Sequence, residues 1–556
     1  MKALLKVSLQ SFKSKLLMAF LVLPLGIPPF FYQGSTFDFR IVQSSFELIF
    51  ILLFSFVYIQ RKTFYILPKT EFYMFILWVA WAILAVALSQ RVAPSIVRQW
   101  EWFCKILFSF CLWGYLRESP NRVVFVHGII VAGFLLICAA FFCFWYYLPN
   151  PVTYNWFNYP PHFNHIRHFG HYCTASLCLS LSLVFVVDKK FGYSALLYLL
   201  QSICWGFLLW SGSRGGIGSA VIGVCIVLLF NTKNRKKFLM ILFFAILTGL
   251  ICSNLFAVDH PGMGGIKSIE RSSNSMMTGR PLLWTTSFAK CKDSLILGLG
   301  PDSFRFFPEF RFSIYHPHNA LIQFILDWGL VGAFFFILMY FKLMRRGVTG
   351  ILGERDQLLK GVKVSAFALL LAFVFYATVS GVFYFAIPLT LMAYAFAVIL
   401  LPASANHKEK VNQSYFRING IAVRSVALIL TFVLVLHLGV IQSVKSTNVP
   451  SPFSFKGRLV RLFPSETNGL ERWVEVWKET NPDVALSASI KFANSSMESL
   501  KFWKIAVSLC LDKKDFNNAN RMAEKALDDS KKKKRPKLLK EFQAQGLLVD
   551  YTIEQD

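Results

Sequence analysis

Acidic residues are scarce in this chain: 30 Asp and Glu stand against 58 Lys and Arg over 556 residues, a formal net charge of +28. The acids that fall between apolar runs include Asp38, Asp259, Glu270, Asp293, Asp302 and Glu309, and none forms an Asp-x-Asp pair suited to holding a divalent cation on a diphosphate. The 11 cysteines make no CxxC and no mixed Cys/His metal spacing. Cys104, Cys111, Cys138 and Cys143 lie inside apolar runs and read as small buried hydrophobes. A Gly-x-x-x-x-Gly-Lys-Ser/Thr phosphate loop is also missing, which argues against direct use of ATP. The first apolar run follows Lys2, Lys6, Lys13 and Lys15 without a small-residue cleavage site, so it reads as a retained span rather than a signal peptide.

What the chain has in quantity is apolar surface. Hydrophobic residues make up 55% of it, Phe alone occurs 58 times, and the mean hydropathy is +0.51. Those values point to an all-α polytopic membrane protein. At roughly 20 residues per crossing, about thirteen spans fit: 16–33, 41–59, 72–88, 99–116, 123–147, 172–187, 192–210, 215–230, 238–257, 318–341, 362–379, 383–401 and 421–441.

The positive charge then gives orientation, with no need for nucleic acid as a partner. Arg61/Lys62/Lys69, Arg117/Arg122, Lys189/Lys190, Lys233/Arg235/Lys236/Lys237, Lys342/Arg345/Arg346 and Lys408/Lys410 all fall on one face if the chain starts inside. The alternate loops carry chiefly Arg40, Arg91, Arg98, Arg167 and Arg214. That register divides the chain into a transmembrane unit, 1–441, and an outer polar unit, 442–556. It also places outside the segment 148–171 and a long loop, 258–317.

Segment 148–171 carries His162, His165, His168 and His171, spaced as metal ligands can be but with no Cys or carboxylate beside them. A hydrogen-bonded interfacial loop is the plainer reading. Segment 450–556 has helical apolar spacing, and Trp503, Ala519 and Ala526 fall as in a tetratricopeptide-like helix pair. Two ordinary packed helices satisfy the same pattern. The run Lys531, Lys532, Lys533, Lys534 and Arg535 suits a solvated helix end or anionic headgroups.

Three places carry candidate chemistry. Arg214 sits in Ser211-Gly-Ser-Arg-Gly-Gly, an outer turn whose glycines permit close backbone approach; it is either an anion ligand or a snorkelling arginine beside a small-residue helix contact. Arg280 precedes Pro281 and Trp284 at a helix start, which suits phosphate, or pairs with an acid such as Asp293. His318, in His316-Pro-His-Asn319, enters the next span; it can accept a proton near neutral pH or serve as a cap.

Taken in order, Ser211–Gly216, Arg280-Pro-Leu-Leu-Trp284, Gly298-Leu-Gly-Pro301, His316–Asn319 and Asp327-Trp-Gly-Leu-Val-Gly332 resemble the O-antigen ligase and polymerase superfamily. The resemblance implies a glycosyltransferase of the integral-membrane (GT-C-like) kind in the bacterial inner membrane, with its active site facing the periplasm. Such enzymes move a glycan from undecaprenyl diphosphate to an acceptor hydroxyl, without a metal or other cofactor. The acceptor is a sugar of the lipid A core in ligases, a carrier-linked repeat in polymerases, and a Ser or Thr of a pilin in protein O-oligosaccharyltransferases. Carried over by residue, Arg214 and Arg280 bind the diphosphate and His318 activates the acceptor, with Trp284, His316 and Asn319 as further substrate-binding candidates. Phe304, Phe306, Phe307, Phe310 and Phe312 are expected to form a membrane-lying part of the long loop. A transporter of lipid-linked glycan is the competing class.

Overall fold

The computed structural model describes residues 15–31, 36–58, 64–89, 91–231, 233–256, 258–260, 263–265, 280–307, 315–403, 415–418, 420–445, 454, 460, 470–495, 499–530, 534–549 and 551. Lys2, Lys6, Lys13, Arg61, Lys62, Glu270, Glu309, Phe310, Phe312, Lys408, Lys410 and Lys531–Lys533 lie outside them.

The thirteen expected spans each overlap a helix, though 16–33 and 172–187 only in part. They are α1 (Lys15–Leu25), α2 (Thr36–Tyr58), α3 (Lys69–Ala87), α4 (Val92–Leu116), α5 (Pro120–Tyr147), α6 (Ile166–Ser180), α7 (Phe191–Trp210), α8 (Arg214–Phe230), α9 (Arg235–Leu255), then, after α10 (Arg280–Cys291), α11 (Ala320–Leu352), α12 (Gln357–Ala377), α13 (Ala386–Ile399) and α14 (Gly420–Lys445). Among the described residues, 8 of these are long and apolar enough to cross a membrane, and α1, α8 and α13 are shorter apolar helices. The chain is thus an all-α polytopic membrane protein. Helix α4 falls outside the long apolar set because Arg98, Glu101 and Lys105 interrupt it. All three are buried, so the helix keeps its charges inside the bundle.

Loops that the charge pattern puts on one face do meet. The segments after α2 and before α14 pair as a two-stranded antiparallel ribbon, β1 (Phe64–Pro68) with β2 (Tyr415–Ile418), registered Phe64 to Ile418 and Tyr65 to Arg417. At the other end the Asp259 N–H donates to the Val152 carbonyl at 2.8 Å and Gly264 to that of Trp210 at 3.0 Å.

Helix α11 is broken one-third of the way along. Gly329 has φ +67° and ψ −177°, and a β-carbon there would stand 1.9 Å from the Ile296 carbonyl oxygen. Only a residue without a side chain lets the 295–300 turn approach so closely. The freed backbone groups are used: Leu330 N–H donates to Leu295 O at 2.9 Å, and Leu299 N–H to Leu326 O at 2.7 Å. Gly298-Leu-Gly-Pro and Asp-Trp-Gly, distant in sequence, are two sides of one joint.

That joint corrects the expectation for the aromatic loop. Ser303–Phe306 forms a short 3₁₀ turn, and Phe304, Phe306 and Phe307 are buried within the protein instead of lying on a membrane. The turn is drawn inward because Ser89 and Ser95 donate to the carbonyls of Leu299 and Pro301 at 2.9 and 2.8 Å.

A second apolar core lies beyond α14, in α15 (Leu470–Thr480), α16 (Pro482–Ser495), α17 (Ser499–Asp512), α18 (Phe516–Asp528) and α19 (Arg535–Gln543). Trp473, Trp477, Trp503, Ala519 and Ala526 are all buried in it. Trp503 Nε1 donates to Asp529 at 2.5 Å, tying α17 to the end of α18. Arg91, just ahead of α4, reaches this unit: it donates to the Ala493 carbonyl at 3.0 Å, stands 3.6 Å from Asp529 and lies over the Phe306 ring.

Candidate active site

The turn from α7 to α8 is shaped by what α12 allows. A β-carbon on Gly215 would sit 2.8 Å from the Tyr376 ring, so glycine lets α8 begin against α12. Ser213 Oγ and the Tyr376 hydroxyl hydrogen-bond across the contact. Helix α8 therefore starts at Arg214, with the preceding Gly212 in a left-handed conformation, φ +66°. Helix α10 starts at Arg280 with Pro281 in its first turn, where no intrahelical N–H is missed. Two helix N-termini, each with an arginine and a set of partly positive backbone amides, thus point to one region.

His318 is fixed by its neighbours. It takes φ +54°, and its N–H donates to His316 Nδ1 at 3.2 Å. Trp284 Nε1 of α10 donates to the Pro317 carbonyl at 3.1 Å. Asn319 caps α11 by accepting from Ile322 N–H at 3.2 Å and donates to the Thr378 carbonyl at 3.3 Å. The imidazole of His316 packs against Tyr384 and Phe385, behind that of His318, with ring centroids 4.2 Å apart between the two histidines.

These pieces surround a small pocket of about 70 Å³, lined by Arg167, Arg214, Arg280, His318, Tyr376 and Ser380 together with the 212–215 turn and Val379. Among the described residues no carboxylate lines it. Burial first, then Arg280, then Arg167, pushes His318 down to about 4, so the ring is neutral at pH 7. Arg280 is itself lowered, first by burial and next by Arg214, though arginine stays protonated throughout the physiological range. The result is a positive, partly desolvated space beside a neutral imidazole. Such a space can bind an anion and take a proton from a hydroxyl.

Arg214, Arg280 and His318, far apart in sequence, therefore come together. Trp284, His316 and Asn319 do not line the pocket. Their hydrogen bonds and ring contacts hold the His318 step in place. Three lining residues escaped the sequence reading: Arg167, Tyr376 and Ser380. Arg167, the second residue of α6, shares with Arg214 and Arg280 a place in the first turn of a helix, and that common feature was the available signal. The histidines of 148–171 are spread among separate tasks. His162 packs on Phe30, His165 Nδ1 accepts the Arg167 N–H at 3.1 Å, His168 bonds Asn164, and His171 bonds Ser380 at 3.0 Å. Among the described residues no group of three or more His, Cys, Asp or Glu is arranged to hold a metal ion.

Next to this pocket lies a buried charge network that joins Arg40, Arg98 and Asp302, expected in outer loops, to Glu101 of the span 99–116. Arg40 of α2 and Arg98 of α4 both bond Glu101, at 2.7 and 2.5 Å. Arg40 also faces Asp302 at 3.7 Å, and Arg305 pairs with Asp302 at 3.0 Å. All five side chains are at most 5% exposed. The Tyr384 ring lies under both Arg40 and Arg98 and packs at a tilt against His316, ring centroids 5.1 Å apart, linking network to site.

No curated protein matches the chain. Residues 199–337 match the family model described as O-antigen ligase, a stretch that runs from within α7 past the kink of α11 and holds Arg214, Arg280 and His318. The motifs of that stretch are assembled at one pocket in a polytopic helical bundle, and this quarter of the chain is similar to the O-antigen ligase family.

Proposed function

We propose that the protein transfers a glycan from undecaprenyl diphosphate to an acceptor hydroxyl at the periplasmic face of a bacterial inner membrane, with a sugar of the lipid A core as acceptor. The observation that carries this reading is the convergence of Arg167, Arg214, Arg280 and His318 on one pocket. The acceptor oxygen attacks the anomeric carbon, the bond from that carbon to the diphosphate oxygen breaks, and the hydroxyl proton passes to His318. Undecaprenyl diphosphate leaves with the bonding electron pair. The arginines hold the diphosphate and stabilise its growing charge, a task for which the planar, permanently charged guanidinium is suited. A positioned base contributes about 10²–10⁴-fold to such a step.

A protein acceptor is the second reading. The helical unit α15–α19, which we regard as a periplasmic domain, stands beside Arg91 and the Phe306 turn and offers a surface that an exported protein can use. A transporter is disfavoured because the candidate groups gather at one end of the bundle, not at mid-membrane.

Purified protein in liposomes, given carrier-linked glycan and lipid A core without any ion gradient, should form the joined product. Arg214→Ala, Arg280→Ala and His318→Ala should insert normally and form none. Normal transfer by the His318 variant removes the base assignment. Product with a pilin but not with lipid A core moves the assignment to the protein-modifying branch, and carrier-linked polymer alone moves it to the polymerases.

A further inference from the structure

An apolar groove of about 510 Å³ runs between α5, α7 and α9. Its walls are largely aromatic, with Phe141, Trp145, Phe207 and Trp210 among them. Phe142 and Leu199 on its rim are 54% and 53% exposed on the flank of the bundle, where a bilayer would lie. On one side α7 and α9 are pinned together: a β-carbon on Gly249 would stand 2.7 Å from Gly206 N. At the outer end Trp210 lines the groove and is held in place, its Nε1 donating to the Phe256 carbonyl at 2.7 Å and its carbonyl accepting from Gly264 at 3.0 Å.

Groove and polar pocket share one piece of chain. Trp210 lines the first, Gly212 to Gly215 line the second, and Arg214 is four residues from Trp210. Four residues span at most about 15 Å. A molecule with its anionic head at Arg214 therefore has this groove as a neighbouring apolar exit. We propose that the groove seats isoprene units of the donor's polyprenyl chain beyond the first two, which bridge the gap from the arginines; this rests on the donor assignment above. Burial of each isoprene in a preformed aromatic slot then adds donor affinity and fixes the direction from which the diphosphate enters between the arginines.

The test compares an undecaprenyl-diphosphate glycan with the same glycan on geranyl diphosphate. Wild-type protein should favour the long chain. Ala139→Trp and Leu199→Trp, which fill the groove, should raise KM for the long donor at least tenfold, about 1.4 kcal/mol, and leave kcat/KM for the geranyl donor unchanged. An unaltered preference for the long chain in both variants overturns the proposal. Turnover of neither donor by wild type instead refutes the donor assignment. Should the variants fail to insert, wild-type protein photolabelled with a diazirine-bearing polyprenyl diphosphate decides the matter. Label on α5, α7 and α9, displaced by undecaprenyl diphosphate but not by phosphatidylethanolamine, supports the groove; label elsewhere, or equal displacement by the phospholipid, overturns it.

Discussion

If His318 is the base, the pH profile of transfer should carry the mark of its surroundings. The imidazole must be neutral to accept the acceptor proton, so activity is present above its pKa and is lost as pH falls through it. In the unliganded site that pKa is about 4, against about 6.5 for an unperturbed histidine. The acid limb of kcat/KM, which reports the free enzyme, should therefore fall well below pH 6. Burial is the largest cause, Arg280 the next and Arg167 the third. Arg280→Gln should accordingly move the limb upward but stop short of about 6.5, because burial remains. Arg167→Gln should move it up by less. A bound diphosphate, doubly esterified and so doubly charged across this range, offsets the arginines; the limb in kcat should then lie above that in kcat/KM. The assay is initial transfer rate in proteoliposomes from pH 4.5 to 8.5, with residual activity at pH 7.5 after each incubation as a stability control. A wild-type kcat/KM limb at or above 6.5, or a downward move in Arg280→Gln, would refute the assignment.

Three other outcomes are expected. Arg167→Ala should lower kcat/KM by about 10²–10³-fold, the range for loss of one fixed donor to developing negative charge; an unchanged rate in the liposome assay removes it from the donor site. Trp284→Phe deletes the hydrogen bond to Pro317, and a loss of about 1 kcal/mol in positioning corresponds to roughly a fivefold lower rate at unchanged protein level in the membrane. Glu101→Ala takes from Arg40 and Arg98 their shared buried carboxylate and should destabilise by about 3–5 kcal/mol. Thermal unfolding in detergent reads that loss, and a wild-type midpoint would contradict the structural role given to the network.

Much of this arrangement could be read from the chain because its causes are local. Apolar runs long enough for a bilayer, and basic loops at every second turn, depend only on neighbours in sequence; β1 and β2 then pair the two basic segments that this reasoning put on one face. Arg214, Arg280 and His318 stood out because each sits beside glycine or proline at the edge of an apolar segment. What stayed hidden depends on which segments meet. Arg40 and Glu101 are 61 residues apart, and only their contact makes a buried pair of an apparent loop charge and an acid inside a span. Likewise Phe304, Phe306 and Phe307 resemble part of a membrane-lying stretch until the Gly298–Gly329 joint draws them inward. Arg167 was passed over for the nearby histidines, which drew attention to metal spacing rather than to the helix start.

The fold uses arginine in two settings, and they should answer differently to salt. In the network, Arg40, Arg98 and Arg305 meet Glu101 and Asp302 at hydrogen-bond or ion-pair distance and are almost fully buried, so mobile ions cannot reach them. In the pocket, Arg167, Arg214 and Arg280 border an open space that a soluble anion can enter. Raising ionic strength should therefore raise KM for the donor while leaving the unfolding midpoint nearly unchanged. Inorganic pyrophosphate should compete with the donor, and more weakly in the Arg280→Gln variant. Equal sensitivity of KM and unfolding midpoint would mean that salt acts on the whole bundle, and the division of labour between the two sets of arginines would fail. Because Tyr384 touches both the network and His316, Glu101→Ala should also slow transfer in the molecules that remain folded, by displacing the His318 step rather than by altering the charge around the donor.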